Sequence, residues 1–239
     1  MTVPLFRLTP YDRSAPARVA EVTGEGGIVL DQSLFYPTGG GQPGDSGRLV
    51  WDGGEIAVAT AVKGDGGRIV LIPAEPQALP PLGAGVVQHL DWDRRYRHMR
   101  VHTALHLLSV IIPLPVTGGA IGDGRGRLDF DMPDPPEDTD ALAAALNALI
   151  ARDLWINDEY VTEDVLDRNP ALVRTMSVAP PRGAGEIRLV QINDDAGALI
   201  DLQPCGGTHV ARSIEIGRVV LGRIEKKGRQ NRRVPLELL

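Results

Sequence analysis

The chain has 239 residues, 43% hydrophobic, 23% charged and only 4% aromatic, which suits a soluble globular protein with an aliphatic core. Its apolar runs, such as Leu105 to Leu114, break far short of the roughly 20 residues a membrane helix needs, so no membrane partner is expected. A single cysteine excludes an intramolecular disulfide, and a net charge of −6 excludes a uniformly basic nucleic-acid coat, though not a local basic patch.

From the N-terminus, no basic stretch precedes an apolar one, so the expected location is cytoplasmic. Residues 1 to about 90 read as β-structure. Short apolar stretches at Ala17–Val22, Gly27–Leu30, Arg48–Val50, Glu55–Val62 and Arg68–Ile72 alternate with Gly- and Asp-rich turns, a spacing that predicts a small barrel or sandwich. Ala74–Gly85 is rich in Pro and Ala and reads as a linker or exposed loop. After Asp91 the pattern changes. Tyr96–Ile112 has near-helical apolar spacing closed by Pro113, and Thr139–Leu154 is an Ala-rich helix with a Leu stripe, capped by Thr139 or Asp140. Glu163–Arg168 reads as a further helical turn, and Glu186–Ile192 and Ile214–Ile224 as strands. Helices mixed with strands predict an α+β second domain. The expected division is residues 1–91 and 92–239.

Two short motifs carry metal chemistry: His102-Thr-Ala-Leu-His106 and Cys205-Gly-Gly-Thr-His209. One helical turn separates His102 from His106, so both rings reach one point. Gly206 and Gly207 permit a tight turn that brings a thiolate and an imidazole together. Either motif alone is commonplace. Jointly they use three of the five histidines and the only cysteine, and three imidazoles with one thiolate suit a single tetrahedral zinc. A metalloprotease is not indicated, because the first motif lacks the Glu general base. His89 and His98 have no such partners and read as ordinary polar residues.

Arg97-His-Met-Arg-Val-His-Thr-Ala-Leu-His-Leu-Leu108 together with Cys205-Gly-Gly-Thr-His-Val210 resembles the editing domain of alanyl-tRNA synthetase and the free-standing AlaX proteins. Gly39-Gly-Gly-Gln-Pro-Gly-Asp45, Arg127-Leu-Asp-Phe-Asp131, Ile214-Glu-Ile-Gly217 and Lys226-Lys-Gly228 extend the resemblance, in matching order, over about residues 30 to 233. No class II aminoacylation motif is visible, so the likeness is to the medium-length type. The resemblance implies a β-barrel domain followed by an α+β zinc-binding editing domain of the kind shared by alanyl- and threonyl-tRNA synthetases. It implies hydrolysis of Ser-tRNA(Ala), or Gly-tRNA(Ala), in trans, with wrongly charged tRNA(Ala) as partner. Two other readings stay open: editing of another mischarged tRNA such as Ser-tRNA(Thr), and a zinc-stabilised tRNA-binding module without catalysis.

The chemistry gives such an enzyme a reason to exist. An apolar pocket rejects an added hydroxyl by only ~100-fold, whereas a second site that hydrogen-bonds the serine hydroxyl discriminates the other way. Gln42 is the residue the resemblance suggests for orienting water or serine; it reads equally as a turn residue among glycines. Thr103 and Thr208 either bond the substrate hydroxyl or satisfy local backbone, and Thr117 is a weaker alternative. Asp45 and Asp201 are either partners of ligand histidines or, more simply, solvated carboxylates. Gly39, Gly40 and Gly41 allow close approach to an RNA terminus but lack the Lys-Ser/Thr of a nucleotide-binding loop, so no nucleotide cofactor is expected. For tRNA phosphates the basic clusters offer Arg94, Arg95, Arg97 and Arg100, then Arg223, Lys226, Lys227, Arg229, Arg232 and Arg233. A basic stretch of this kind is also commonly just a solvated face.

Overall fold

A computed structural model describes residues 1–134, 136, 138–169 and 185–239. The chain forms two compact units, Met1–Arg97 and His98–Leu239.

In the first unit six strands close into an antiparallel barrel: β1 (Ser14–Val22), β2 (Ile28–Leu30), β3 (Gly47–Trp51), β4 (Gly54–Lys63), β5 (Ile69–Pro73) and β6 (Gly85–Leu90), in the order β1-β2-β5-β4-β3-β6. Alternating apolar residues point inward, and Leu30, Leu34, Phe35, Leu49, Ile56 and Leu71 are fully buried in one aliphatic core. Each such side chain contributes roughly 1.5–3 kcal/mol by leaving water. Strand β6 was not expected from the sequence, because Gly85-Val-Val-Gln-His-Leu90 reads as too short and polar to stand out. The Pro-rich segment before it is an exposed barrel loop and not a linker: Gly83 donates to the Val19 carbonyl and Val19 to that of Ala84, both at 2.9 Å.

The glycine-rich segment is a tight hairpin. Gly39 and Gln42 exchange both backbone hydrogen bonds at 3.0 Å, and Gly40 and Gly41 between them have φ of 58° and 82°, a two-residue turn that favours glycine. Gly44 is required for space, since a Cβ there would sit 2.1 Å from the Ala61 carbonyl oxygen. Asp45, expected as a solvated carboxylate, is 1% exposed. It accepts from the Tyr36 amide at 2.6 Å and pairs with the equally buried Arg95, which also donates to the Leu34 carbonyl at 2.6 Å. Arg95 is therefore a core residue and not a phosphate contact.

Helix α1 (Trp92–Ile111) begins one turn earlier than expected and carries the chain into the second unit. There, β7 (Val116–Ile121) and β8 (Arg125–Asp131) are followed by α2 (Thr139–Ile150), β9 (Trp155–Thr162), α3 (Glu163–Arg168), β10 (Glu186–Asn193) and β11 (Leu199–Pro204). Strands β12 (Val219–Leu221), β13 (Glu225–Lys226) and β14 (Asn231–Leu238) complete it. One antiparallel sheet runs β12-β14-β8-β7, with β13 paired to β14; a second runs β9-β10-β11. Asp138, rather than Thr139 or Asp140, caps α2 by accepting the Ala141 amide at 2.8 Å. The expected strand from Ile214 starts instead as a 3-10 turn, Ser213–Ile216, closed by Gly217 at φ 73°. Gly126 of β8 lets α1 lie close on the sheet: a Cβ there would meet Val101 at 2.6 Å. Among the described residues no helix is long and apolar enough to cross a membrane.

Candidate metal centre

Helix α1 is buried on every side from Val101 to Ser109, so it is a core helix and not a surface one. That leaves its two histidines, one turn apart, to face a common interior point. The second pair hangs from the end of β11. Arg188 of β10 fixes this turn by donating to the carbonyls of Cys205 at 2.8 Å and Gly207 at 2.9 Å, while itself paired with Asp158. Gly206 and Gly207 were expected to permit a tight turn, and they do so without unusual backbone angles. Neither has a positive φ, and a Cβ on Gly206 would meet nothing within 4 Å. The turn is held from outside by an arginine, a signal that a lone polar residue in a strand does not give in sequence.

The result brings one ligand atom each of His102, His106, Cys205 and His209 within 4.8 Å of one another. Cys205 Sγ lies 3.4 Å from His102 Nε2 and 3.3 Å from His209 Nε2. Those separations match the edges of a tetrahedron with metal–nitrogen and metal–sulfur bonds of about 2.0–2.3 Å. The four side chains can hold a metal ion, and the donor set is a soft thiolate with three imidazoles. Cys205 is the most open of the four, beside the exposed Gly206, while the three histidines are buried.

Two of the imidazoles are oriented from behind. His106 Nδ1 lies 3.3 Å from Asp201 Oδ2, which also accepts from Gln203 Nε2 at 2.7 Å. Asp201 is 1% exposed, so the solvated reading of this carboxylate is corrected as well. His209 Nδ1 lies 3.1 Å from Thr103 Oγ1. That hydroxyl spends its one proton on the Met99 carbonyl at 3.0 Å and accepts the Val210 amide at 3.3 Å, so His209 must be the donor in their contact. Both rings then turn Nε2 toward the cluster. Thr103 has no hydrogen-bonding capacity left for a substrate, so its expected substrate contact gives way to positioning of His209. Thr208 is buried at 2% exposure within the same turn. Thr117 Oγ1 lies 3.1 Å from the Asp129 carbonyl oxygen.

Electrostatics favour the ligating forms of Cys205 and His209 but not of His106. Burial alone would raise the Cys205 thiol, but the neighbouring His102 and His209 hold it well below its usual range, as the thiolate that binds metal. Burial and then His102 push His209 well down, toward the neutral ring. Burial opposes a charge on His106 too, yet its hydrogen bonds to Asp201 and Cys205 push it up to about 9, so a metal ion must replace that proton.

The remaining expected residues are placed as follows. Gln42 is buried in the barrel unit, in the hairpin with Gly39, Gly40 and Gly41. Arg97 is half-buried on α1. Arg100 is engaged by the Ile216 carbonyl through two donors at 2.9 and 2.7 Å, which suits it to bracing the 3-10 turn. Lys226 and Arg229 are exposed, and Lys227 pairs with Glu225 at 2.7 Å. Arg232 is buried on the Pro133 carbonyl at 2.6 Å, and Arg233 pairs with Asp129 at 2.8 Å.

Sequence comparison places this chain, a barrel followed by a unit with a His/Cys cluster, among the tRNA-synthetase-related proteins. Residues 187–234 match the family model described as the threonyl and alanyl tRNA synthetase second additional domain, and residues 8–94 match that of class II (A) tRNA synthetases. The chain is 34% identical to the alanyl-tRNA editing protein AlaX-M of Methanosarcina acetivorans, with both chains covered completely. It is 32% identical to that of Saccharolobus solfataricus, with 98% of each covered. It is also 36% identical to an alanine–tRNA ligase of Pyrobaculum arsenaticum, where 93% of this chain matches 25% of the ligase. The chain belongs to the alanyl-tRNA editing family, in its AlaX-M form.

Proposed function

We propose that the chain is a zinc-dependent aminoacyl-tRNA deacylase that hydrolyses Ser-tRNA(Ala), or Gly-tRNA(Ala), in trans. The observation that carries this is the cluster of three imidazoles and one thiol, their ligand atoms all within 4.8 Å of one another, in a chain of the AlaX-M family. In the proposed division residues 1–91 are the barrel domain and 92–239 the editing domain, working in the cytoplasm on tRNA(Ala) charged with the wrong amino acid. His102, His106, Cys205 and His209 would hold one zinc ion. Bound there, zinc supplies a Lewis acid that can polarise the ester carbonyl, activate water, or anchor the amine or hydroxyl of the amino acid.

The protein's own groups do the rest. Thr103 and Asp201 lock His209 and His106, so that the centre is formed before substrate arrives. Four protein ligands ordinarily make a closed, structural site. Cys205, the least buried of the four, is the ligand that would give way if substrate were to reach the ion. Thr208 and Gln42 are the groups proposed to read the serine hydroxyl or orient water. Alanine, lacking the hydroxyl, would leave such a polar group unpaired, which is how a second site spares the correct product. Hydrolysis then adds water across the ester, releasing serine and a free ribose hydroxyl.

The test is release of serine from Ser-tRNA(Ala) beside Ala-tRNA(Ala), by wild type and by Gln42→Ala. Wild type is expected to deacylate the first and spare the second, and Gln42→Ala to lose kcat with its zinc content unchanged. Binding of tRNA with no release from any charged form would leave only a binding module.

A further inference from the structure

The sheet of the second unit has a second face that the metal centre does not use. Along β8 and β14, Leu128, Phe130 and Val234 are buried inward, while Arg125, Arg127, Arg233 and Pro235 alternate outward. A groove of about 460 Å³ runs over this outer region, floored by small residues such as Ala120, Gly122 and Gly222 and edged by Arg125, Arg127 and Arg233. None of the four cluster residues lines it.

The groove is built as well as charged. Asp129 stands opposite Arg233 in the strand register and binds both Arg233, at 2.8 Å, and Arg127. One carboxylate between two guanidiniums leaves a positive charge uncompensated and holds both planar forks in place. Their rotamers are therefore set before any anion arrives, which lowers the cost of binding. Adjoining the groove, the β13–β14 hairpin exposes Lys226 and Arg229, and Arg223 is exposed just before it. Residues 218–239 carry seven basic side chains against two acidic ones, in a chain whose net charge is −6. Two acidic residues also line the groove: Glu225, paired with Lys227 at 2.7 Å, and Glu237, opposite Arg125 in the strand register, so the basic excess lies in the adjoining exposed Arg223, Lys226 and Arg229.

We propose that this outer face binds phosphodiester groups of the RNA substrate, holding the body of the molecule away from the ester that is hydrolysed. The inference rests on the reading of that substrate as a tRNA. A polyanion of regular charge spacing suits a row of guanidinium and ammonium groups along a strand and hairpin.

Binding of uncharged tRNA(Ala) transcript to the full chain, across a salt series, tests this without catalysis. Arg125→Glu combined with Lys226→Glu, both exposed, is expected to raise Kd at least tenfold near 0.1 M salt. It should also flatten the dependence of log Kd on log salt by about one for each phosphate no longer engaged. The milder Arg125→Gln alone should raise Kd about threefold, as fits the release of a single phosphate. Arg7→Glu with Arg48→Glu, both exposed in the first unit, makes the same net-charge change and should shift Kd less than about twofold if position matters. An unchanged Kd and slope in the groove variant, or an equal loss in the first-unit variant, overturns the proposal. So does competition by polyglutamate with no effect of polyuridylate, which would assign the face to an acidic protein. Wild-type binding that depends on the groove, with no deacylation of any charged tRNA, sinks the editing reading and leaves this one standing. Deacylation with binding indifferent to the groove does the reverse.

Discussion

The two units bury polar groups in different ways. In the barrel, Arg95 and Asp45 are as buried as any core leucine, and every strong contact they make is to the protein: each other, the Leu34 carbonyl and the Tyr36 amide. In the second unit, Asp201 and Thr103 satisfy only the outer nitrogens of His106 and His209, so the inner ones converge with a thiolate on one point. The first arrangement closes on itself and serves the fold. The second directs its lone pairs inward, which is what a cation site requires. The difference between a polar group that is structural and one that serves chemistry lies in where its last lone pair points.

Perturbing each assembly tests the contrast. Cys205→Ala or His106→Ala is expected to have the largest effect, abolishing deacylation and dropping zinc from one per chain toward none by elemental analysis. Asp45→Asn should come next, destabilising the chain by about 3–5 kcal/mol in urea titration, because Arg95 is left buried without its counter-charge. Zinc staying near one per chain in that variant keeps the two assemblies distinct; parallel loss of zinc would merge them. Thr103→Val and Arg188→Met should each weaken zinc retention about 10–100-fold in chelator competition, as expected when support behind a ligand is removed. Thr103→Ser keeps the hydroxyl and should recover most of it, whereas a substrate-binding threonine would shift KM and leave zinc untouched. The smallest effect is expected for Gly206→Ala, within about 0.5 kcal/mol of wild-type stability, since its backbone is unstrained and its surroundings open.

Much of this was legible in the residues. Ligand spacing is a local property, so His102, His106, Cys205 and His209 stood out even though α1, buried on all sides, has a weak helical stripe. The glycine segment announced a turn, and the early β-strands showed their alternation. Support residues left a fainter mark: Asp201 was legible only as one of two readings, partner of a ligand histidine or solvated carboxylate, and the first holds, at 3.3 Å from His106 Nδ1. Asp201, Gln203 and Arg188 become meaningful only when β10 and β11 pair and bring them behind the cluster, a relation between distant segments that no local pattern encodes. The basic clusters misled for a related reason: burial turned Arg95 and Arg232 into structural donors, half-buried Arg100 is engaged by the Ile216 carbonyl, and only the fold separates them from Lys226 and Arg229. Strands β9 and β14 were missed because their charged residues hide the period-two pattern.

The most direct test of the central claim is the rate of serine release from Ser-tRNA(Ala) by protein stripped of metal with a chelator and then resupplied with one equivalent of zinc. The expected result is loss of release on stripping and its return at a stoichiometry of one, with Ala-tRNA(Ala) left intact throughout. Full activity in stripped protein, or zinc that binds without His102, His106, Cys205 and His209, would contradict it.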